Sequence, residues 1–126
     1  MKNSESIEMY LETILLLQKM QDYVRAIDIA TELGYSKPSV SNAMKSLKCK
    51  GYITVSNTGQ IELTEQGREI ACEVQEKNRV LTELLLKIGM RDEVAKENAC
   101  RMEHVVSGDL IEVIKRAMAS GKVETV

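Results

Sequence analysis

Apolar residues recur at Ile7, Leu11, Ile14 and Leu15, three and four positions apart, which predicts an amphipathic helix over residues 5–20. "RAIDIATELG" predicts a short second helix that stops at Gly34, a residue suited to a helix C-cap. "YS" makes the turn after it. Ser36 is a natural N-cap, and Pro38 is tolerated in a first turn, where no donor is needed. A third helix then runs through "KPSVSNAMKSLKCK" to Gly51, with Val40, Ala43, Met44 and Leu47 facing inward and Ser39, Asn42 and Lys45 facing away. The period changes next. "YITVS" and "QIELT" read as two short strands joined by the turn "NTG". Thr64 caps a long helix that Gly89 ends, Asp92 starts the helix holding Cys100 and His104, and Ser107 caps a last one, "GDLIEVIKRAMA".

A short helix, a tight turn and a second helix with a small, polar outer face form a helix-turn-helix pattern. The hairpin that follows makes it a winged helix. The expected fold is mainly α with a small β-hairpin wing: an N-terminal winged helix-turn-helix over residues 1–65, then an all-α dimerisation domain over residues 66–126.

Composition fits packed helices. The chain has 126 residues, with no Trp, no Phe and four Tyr, so its core must be aliphatic. Three cysteines, Cys49, Cys72 and Cys100, with no CxxC spacing, describe neither a disulfide scaffold nor a zinc ribbon. "MKNSESIEMYLET" is polar, and no apolar run reaches the length of a membrane span, so a reducing, cytoplasmic setting is expected, with no membrane partner.

A net charge of −2 argues weakly against nucleic acid, but its distribution argues back. No Asp or Glu lies between Glu32 and Glu62, while Lys37, Lys45, Lys48 and Lys50 do. Such a segment can present one positive face to phosphate. With so few aromatics there are few stacking platforms for single strands, so double-stranded DNA is the expected partner.

The one histidine lies in "ENACRMEHVVS". On a helix, Cys100, Glu103 and His104 are spaced i, i+3, i+4 and share a face, whereas Met102 falls on the opposite side. Thiolate, carboxylate and imidazole could converge on a metal ion. The bland alternative is a half-buried Cys beside a solvated Glu–His pair. Three groups do not close a site. "EMYLE" in the first helix offers Met9 and Glu12, again on one face, which would complete five donors of mixed softness. With its single imidazole already committed and no second base, the chain is not expected to be an enzyme or to take a small-molecule substrate.

These segments resemble the diphtheria-toxin-repressor family of metal-dependent transcription regulators. The resemblance covers nearly the whole chain and is carried by "EMYLE", "SKPSVSNAMKSL", "TEQGREIA" and "ACRMEHVVS". It implies that Met9, Cys100, Glu103 and His104 match the ligand set of the iron-sensing branch, and that Glu12 stands where the manganese-sensing branch has an additional carboxylate. It also implies base-edge and thymine-methyl contacts from Ser36, Pro38 and Asn42, and phosphate contacts from Ser39, Ser41 and Lys45, with Lys37 in the same surface. The chain is expected to lack the family's C-terminal SH3-like domain. The family's ancillary metal site falls on Asn78, Thr82 and Lys96, none a good ligand, so one ion per chain is expected.

The function implied is a homodimeric repressor of metal-homeostasis genes on a palindromic operator, with Fe(II) foremost as co-repressor and Mn(II) the alternative. Other divalent transition metals are expected to bind in vitro. A rival reading is a metal-independent winged-helix regulator with a thiol redox switch at Cys100, whose pKa His104 could lower.

Overall fold

Helix α1 (Asn3–Met20) turns its stripe of Leu11, Ile14, Leu15 and Leu17 inward, each buried. The structure, a computed structural model, describes residues 3–123, with side chains from residue 6 onward. Helix α2 (Ala26–Leu33) contributes Ile29 and Ala30 to the same core and ends on Gly34 in the left-handed region, φ 71°. Only glycine adopts that conformation without strain, and its N–H closes on the Ala30 carbonyl at 2.8 Å. Helix α3 (Lys37–Cys49) starts on Ser36, whose hydroxyl accepts from the Ser39 N–H, with Pro38 in the first turn. Val40, Met44 and Leu47 are its buried face.

Strands β1 (Ile53–Val55) and β2 (Ile61–Leu63) pair antiparallel with Thr54 opposite Glu62. Alternation puts Ile53 and Ile61 in the core and leaves Thr54 and Glu62 exposed. The Ile61 N–H reaches the Val24 carbonyl at 2.8 Å, tying the hairpin to the α1–α2 connection. Each buried Leu, Ile or Val contributes about 1.5–3 kcal/mol.

Helix α4 (Glu65–Lys87) opens on Thr64. That hydroxyl donates to the Gly51 carbonyl at 2.7 Å and accepts from the Gly67 N–H at 3.2 Å. Gly67 is buried, and a Cβ there would fall on the Tyr52 carbonyl oxygen. Space, not backbone conformation, demands the glycine in "TEQGREIA". Gly67→Ala should therefore destabilise the chain by about 1–3 kcal/mol or more. A denaturant midpoint equal to that of the parent chain would contradict this.

The chain divides into two units, Met1–Cys72 and Glu73–Val126, with the boundary inside α4. In the second unit α4 continues with Val80, Leu81 and Leu85 buried against Ala95 and Ala99 of helix α5 (Asp92–Met102) and Ile111 of helix α6 (Gly108–Ala119). Ser107 caps α6 by accepting from the Leu110 N–H at 3.1 Å. Glu76 of α4 pairs with Lys115 of α6 at 3.1 Å and with Arg79 one turn on. The Arg79 contact first, then Lys115, holds the Glu76 carboxyl below the usual carboxylate range. The winged helix and the all-α segment expected from the pattern are both present.

Candidate functional site

The expected metal donors lie in both units, and each half is built separately. In the second unit α5 ends at Met102, earlier than the sequence suggests. Glu103 is its C-cap, and His104 lies past the helix in a turn. Two β-branched valines follow, and Ser107 must be extended, φ −82° and ψ 159°, to cap α6. Glu103 keeps helical backbone angles, φ −59° and ψ −27°, and its N–H still reaches the Ala99 carbonyl at 2.9 Å, so it stays one turn from Cys100 on the expected face, and only His104 lies past the helix.

The burial pattern also inverts the bland expectation of a half-buried thiol beside a solvated Glu–His pair. Cys100 is exposed, while Glu103 is 0 % exposed. His104 Nε2 lies 3.2 Å from Glu103 Oε2. Keeping a carboxylate out of water is costly unless a cation or donors compensate. A dry carboxylate beside an imidazole is the chemistry of a transition-metal donor pair. Met102, set aside as a packing residue, packs against the second core.

The turn carrying this pair is held by Lys77 of α4, whose Nζ donates to the Val106 carbonyl at 2.9 Å. Sequence reasoning missed Lys77; its only signal was a lysine on the half-buried side of α4. Thr82 keeps a buried hydroxyl without a hydrogen-bond partner, and Glu83 and Glu97 are engaged by Arg79 and Arg101.

In the first unit Met9 and Glu12 lie one turn apart on α1, both half-buried. The Tyr35 hydroxyl donates to Met9 Sδ at 3.5 Å, and the Tyr35 ring meets Tyr10 edge-on with centroids 6.2 Å apart. Among the described residues no group of three or more His, Cys, Asp and Glu side chains gathers closely enough to hold a metal ion.

The expected nucleic-acid face is the outer side of α3. Ser36, Lys37, Pro38, Ser39, Ser41, Asn42 and Lys45 are all exposed. Ser36 and Ser39 hydroxyls also bond each other at 2.9 Å, which fixes the first turn. Sequence reasoning missed Tyr23 and Arg25 beside this face. The Arg25 guanidinium sits 4.7 Å from the Tyr23 ring centroid, and the Tyr23 hydroxyl bonds Thr58 in the hairpin turn. The Thr58 bond, aided by Arg25, holds the Tyr23 phenol below its usual value.

Among the described residues no helix is long and apolar enough to cross a membrane.

The chain matches two family models. Residues 2–60 match the family described as iron dependent repressor, N-terminal DNA binding domain. Residues 64–123 match iron dependent repressor, metal binding and dimerisation domain. The chain is 32% identical over 111 residues to the transcriptional regulator MntR of Escherichia coli O6:H1, covering 88% of this chain and 72% of that one. It is 36% identical over 107 residues to the iron-dependent repressor IdeR of Mycobacterium tuberculosis, covering 84% of this chain and 46% of that one. A solved manganese-dependent transcriptional repressor in complex with manganese superposes with a TM-score of 0.82 at 27% identity, covering 90% of this chain and 52% of that one. The chain thus spans about half the length of the last two.

Proposed function

Because the chain belongs to the iron-dependent repressor family, we propose that it is a homodimeric, metal-dependent transcriptional repressor acting on double-stranded DNA. The observation that carries this reading is the fully buried Glu103 carboxylate beside His104, within a segment matched to a metal-binding and dimerisation domain. That segment is joined in one chain to a winged helix whose recognition surface is basic and acid-free.

Met9, Glu12, Cys100, Glu103 and His104 would hold one divalent ion per chain. Bound there, the ion supplies positive charge to a carboxylate that water does not reach. Met9 and Glu12 belong to the DNA-binding unit and the other three to the second unit, so their joint ligation would restrict the two units to a DNA-competent arrangement. If only a fraction of metal-free dimers is competent, the apparent dissociation constant rises by the inverse of that fraction. In a competent dimer two recognition helices must lie about one turn of DNA apart, ~34 Å, which suits a palindromic operator.

Homodimerisation is supported by apolar surface on the second unit: Leu110 and Val113 of α6 are 44% and 51% exposed. Relatives named for iron and for manganese both resemble this chain. Met9 and Cys100, a thioether and a thiol, favour Fe(II) as the physiological ion, with Mn(II) the alternative. The thiol-switch reading gains no support, since both matched family models are described as iron-dependent repressor domains. The relatives are named as transcription regulators, and no catalytic role is proposed.

On α3, Asn42 is assigned to a base edge, where its amide can pair with adenine, and Lys45 to phosphate. Asn42→Ala should cost about 1–3 kcal/mol on the preferred operator and relax preference at one base pair. Lys45→Ala should weaken all sequences alike and lower the salt dependence. Binding of both variants to a panel of single-base operator mutants tests this, and matching profiles would refute the assignment.

A further inference from the structure

A methionine is by itself a loose ligand. Its rotatable bonds let the thioether wander, and fixing them on an ion costs entropy. Met9 is restrained at both ends. Its carbonyl accepts from the Thr13 hydroxyl at 2.8 Å, one turn along α1, and Thr13 is buried. Its side chain is half-buried and packs against the first core. At the far end, the Tyr35 hydroxyl donates to Sδ at 3.5 Å, from a residue 26 positions away in the chain.

Tyr35 is itself a fixed point. It stands between Gly34, the C-cap of α2, and Ser36, the N-cap of α3. Its N–H reaches the Ala30 carbonyl at 3.1 Å, the carbonyl that the Gly34 N–H also meets. Its ring meets Tyr10, the neighbour of Met9 on α1, at 76° between the ring planes. Yet Tyr35 is 44% exposed. A phenol that water can reach gains little stability by donating to a thioether, which is a weak acceptor. The contact therefore matters more for where it holds the sulfur than for the fold.

We propose that Tyr35 is a positioning residue for Met9: its hydroxyl takes one sulfur lone pair, leaves the other for an ion, and so raises the preference of the chain for thiophilic divalent ions over hard ones. Tyr35 does not touch the ion. Groups that orient a ligand from behind in this way govern metal affinity. The inference rests on the metal-dependent reading above and names a residue that sets the selectivity of that site. Every contact it uses lies within the first unit.

The test uses the full chain, with Cd(II) as the soft probe and Mn(II) as the hard one, each titrated against a competing chelator. Tyr35→Phe keeps the ring beside Tyr10 and removes only the hydroxyl. Its Cd(II) affinity should fall about two- to tenfold, the cost of immobilising one rotamer-rich side chain. Mn(II) affinity should change less, because a thioether contributes little to a hard ion. In a Met9→Leu background, Tyr35→Phe should leave Cd(II) affinity unchanged, since residues that act through one contact are not additive. The metal-free chain supplies a further readout. The Met9 methyl NMR signal, assigned by its loss in Met9→Leu, should shift in Tyr35→Phe while the unfolding midpoint stays that of the parent.

An unchanged Cd(II) affinity, equal losses for Cd(II) and Mn(II), or a loss that persists without Met9 each overturn the positioning role. So does a gain in Cd(II) affinity, which would make the hydroxyl a competitor of the ion for the sulfur. An unmoved methyl signal would show that the hydroxyl does not hold the thioether, and overturns it too. A Met9→Leu variant that binds Cd(II) as tightly as the parent overturns instead the assignment of Met9 as a ligand, on which the inference rests.

Discussion

His104→Ala should abolish the metal response of DNA binding while leaving both units folded. The chain has one imidazole, and it lies in a turn outside α5, so its removal breaks no helix. It does remove the partner 3.2 Å from the buried Glu103 carboxylate. Two readings are expected together. Metal at 100 times its dissociation constant should stabilise the parent chain against unfolding by about 2.7 kcal/mol, and the variant by almost nothing. DNA affinity of the variant should be the same with metal and with chelator. A variant that still gains thermal stability and DNA affinity from metal would mean the ion sits elsewhere.

The second large effect concerns which metal is read. Met9→Asp combined with Cys100→Asp should shift the preference from Fe(II) toward Mn(II). Thioether and thiolate favour softer ions, whereas an all-oxygen and imidazole shell favours harder ones. Discrimination between the two ions should change by at least about tenfold, or 1.4 kcal/mol, in anaerobic titrations. Glu12 already adds one hard donor, so the double variant completes a change the sequence has begun. The same metal ranking in parent and variant would refute the role of the two sulfur groups. Cys100 is exposed, whereas Met9 is half-buried and packs against the first core, so circular dichroism of the double variant accompanies the titrations.

Much of the first unit was legible because its signals are local. Ser36, Pro38 and Gly34 mark helix ends through their own backbone chemistry, and "NTG" between two alternating runs marks a hairpin. Each of these predicted the element that forms. The metal half was harder for a physical reason. Spacing carries Glu103 one turn on from Cys100, but His104 falls in a turn past the end of α5, where helical periodicity no longer places it. Periodicity also treats a glutamate as a solvated charge, so nothing local announces that Glu103 is the buried member and Cys100 the exposed one. Gly67 reads as an ordinary helix-weakening glycine until the Tyr52 carbonyl is seen to occupy the space of its Cβ. Thr58 lies 35 residues from Tyr23, and only the hairpin's return brings it to Tyr23 and Arg25. Lys77 likewise acts across 29 residues on a carbonyl, a partner that no side-chain pattern records.

The most direct test of the account is DNA affinity as a function of metal. Duplexes selected from a random pool with the Mn(II)-loaded chain would supply the operator. Fluorescence anisotropy on that duplex, run anaerobically with Fe(II), with Mn(II) and with chelator, then reads the central claim. Affinity should rise at least about tenfold with either ion and return to its starting value on chelation. Equal affinity with and without chelator would contradict a metal-dependent repressor, whatever the fold.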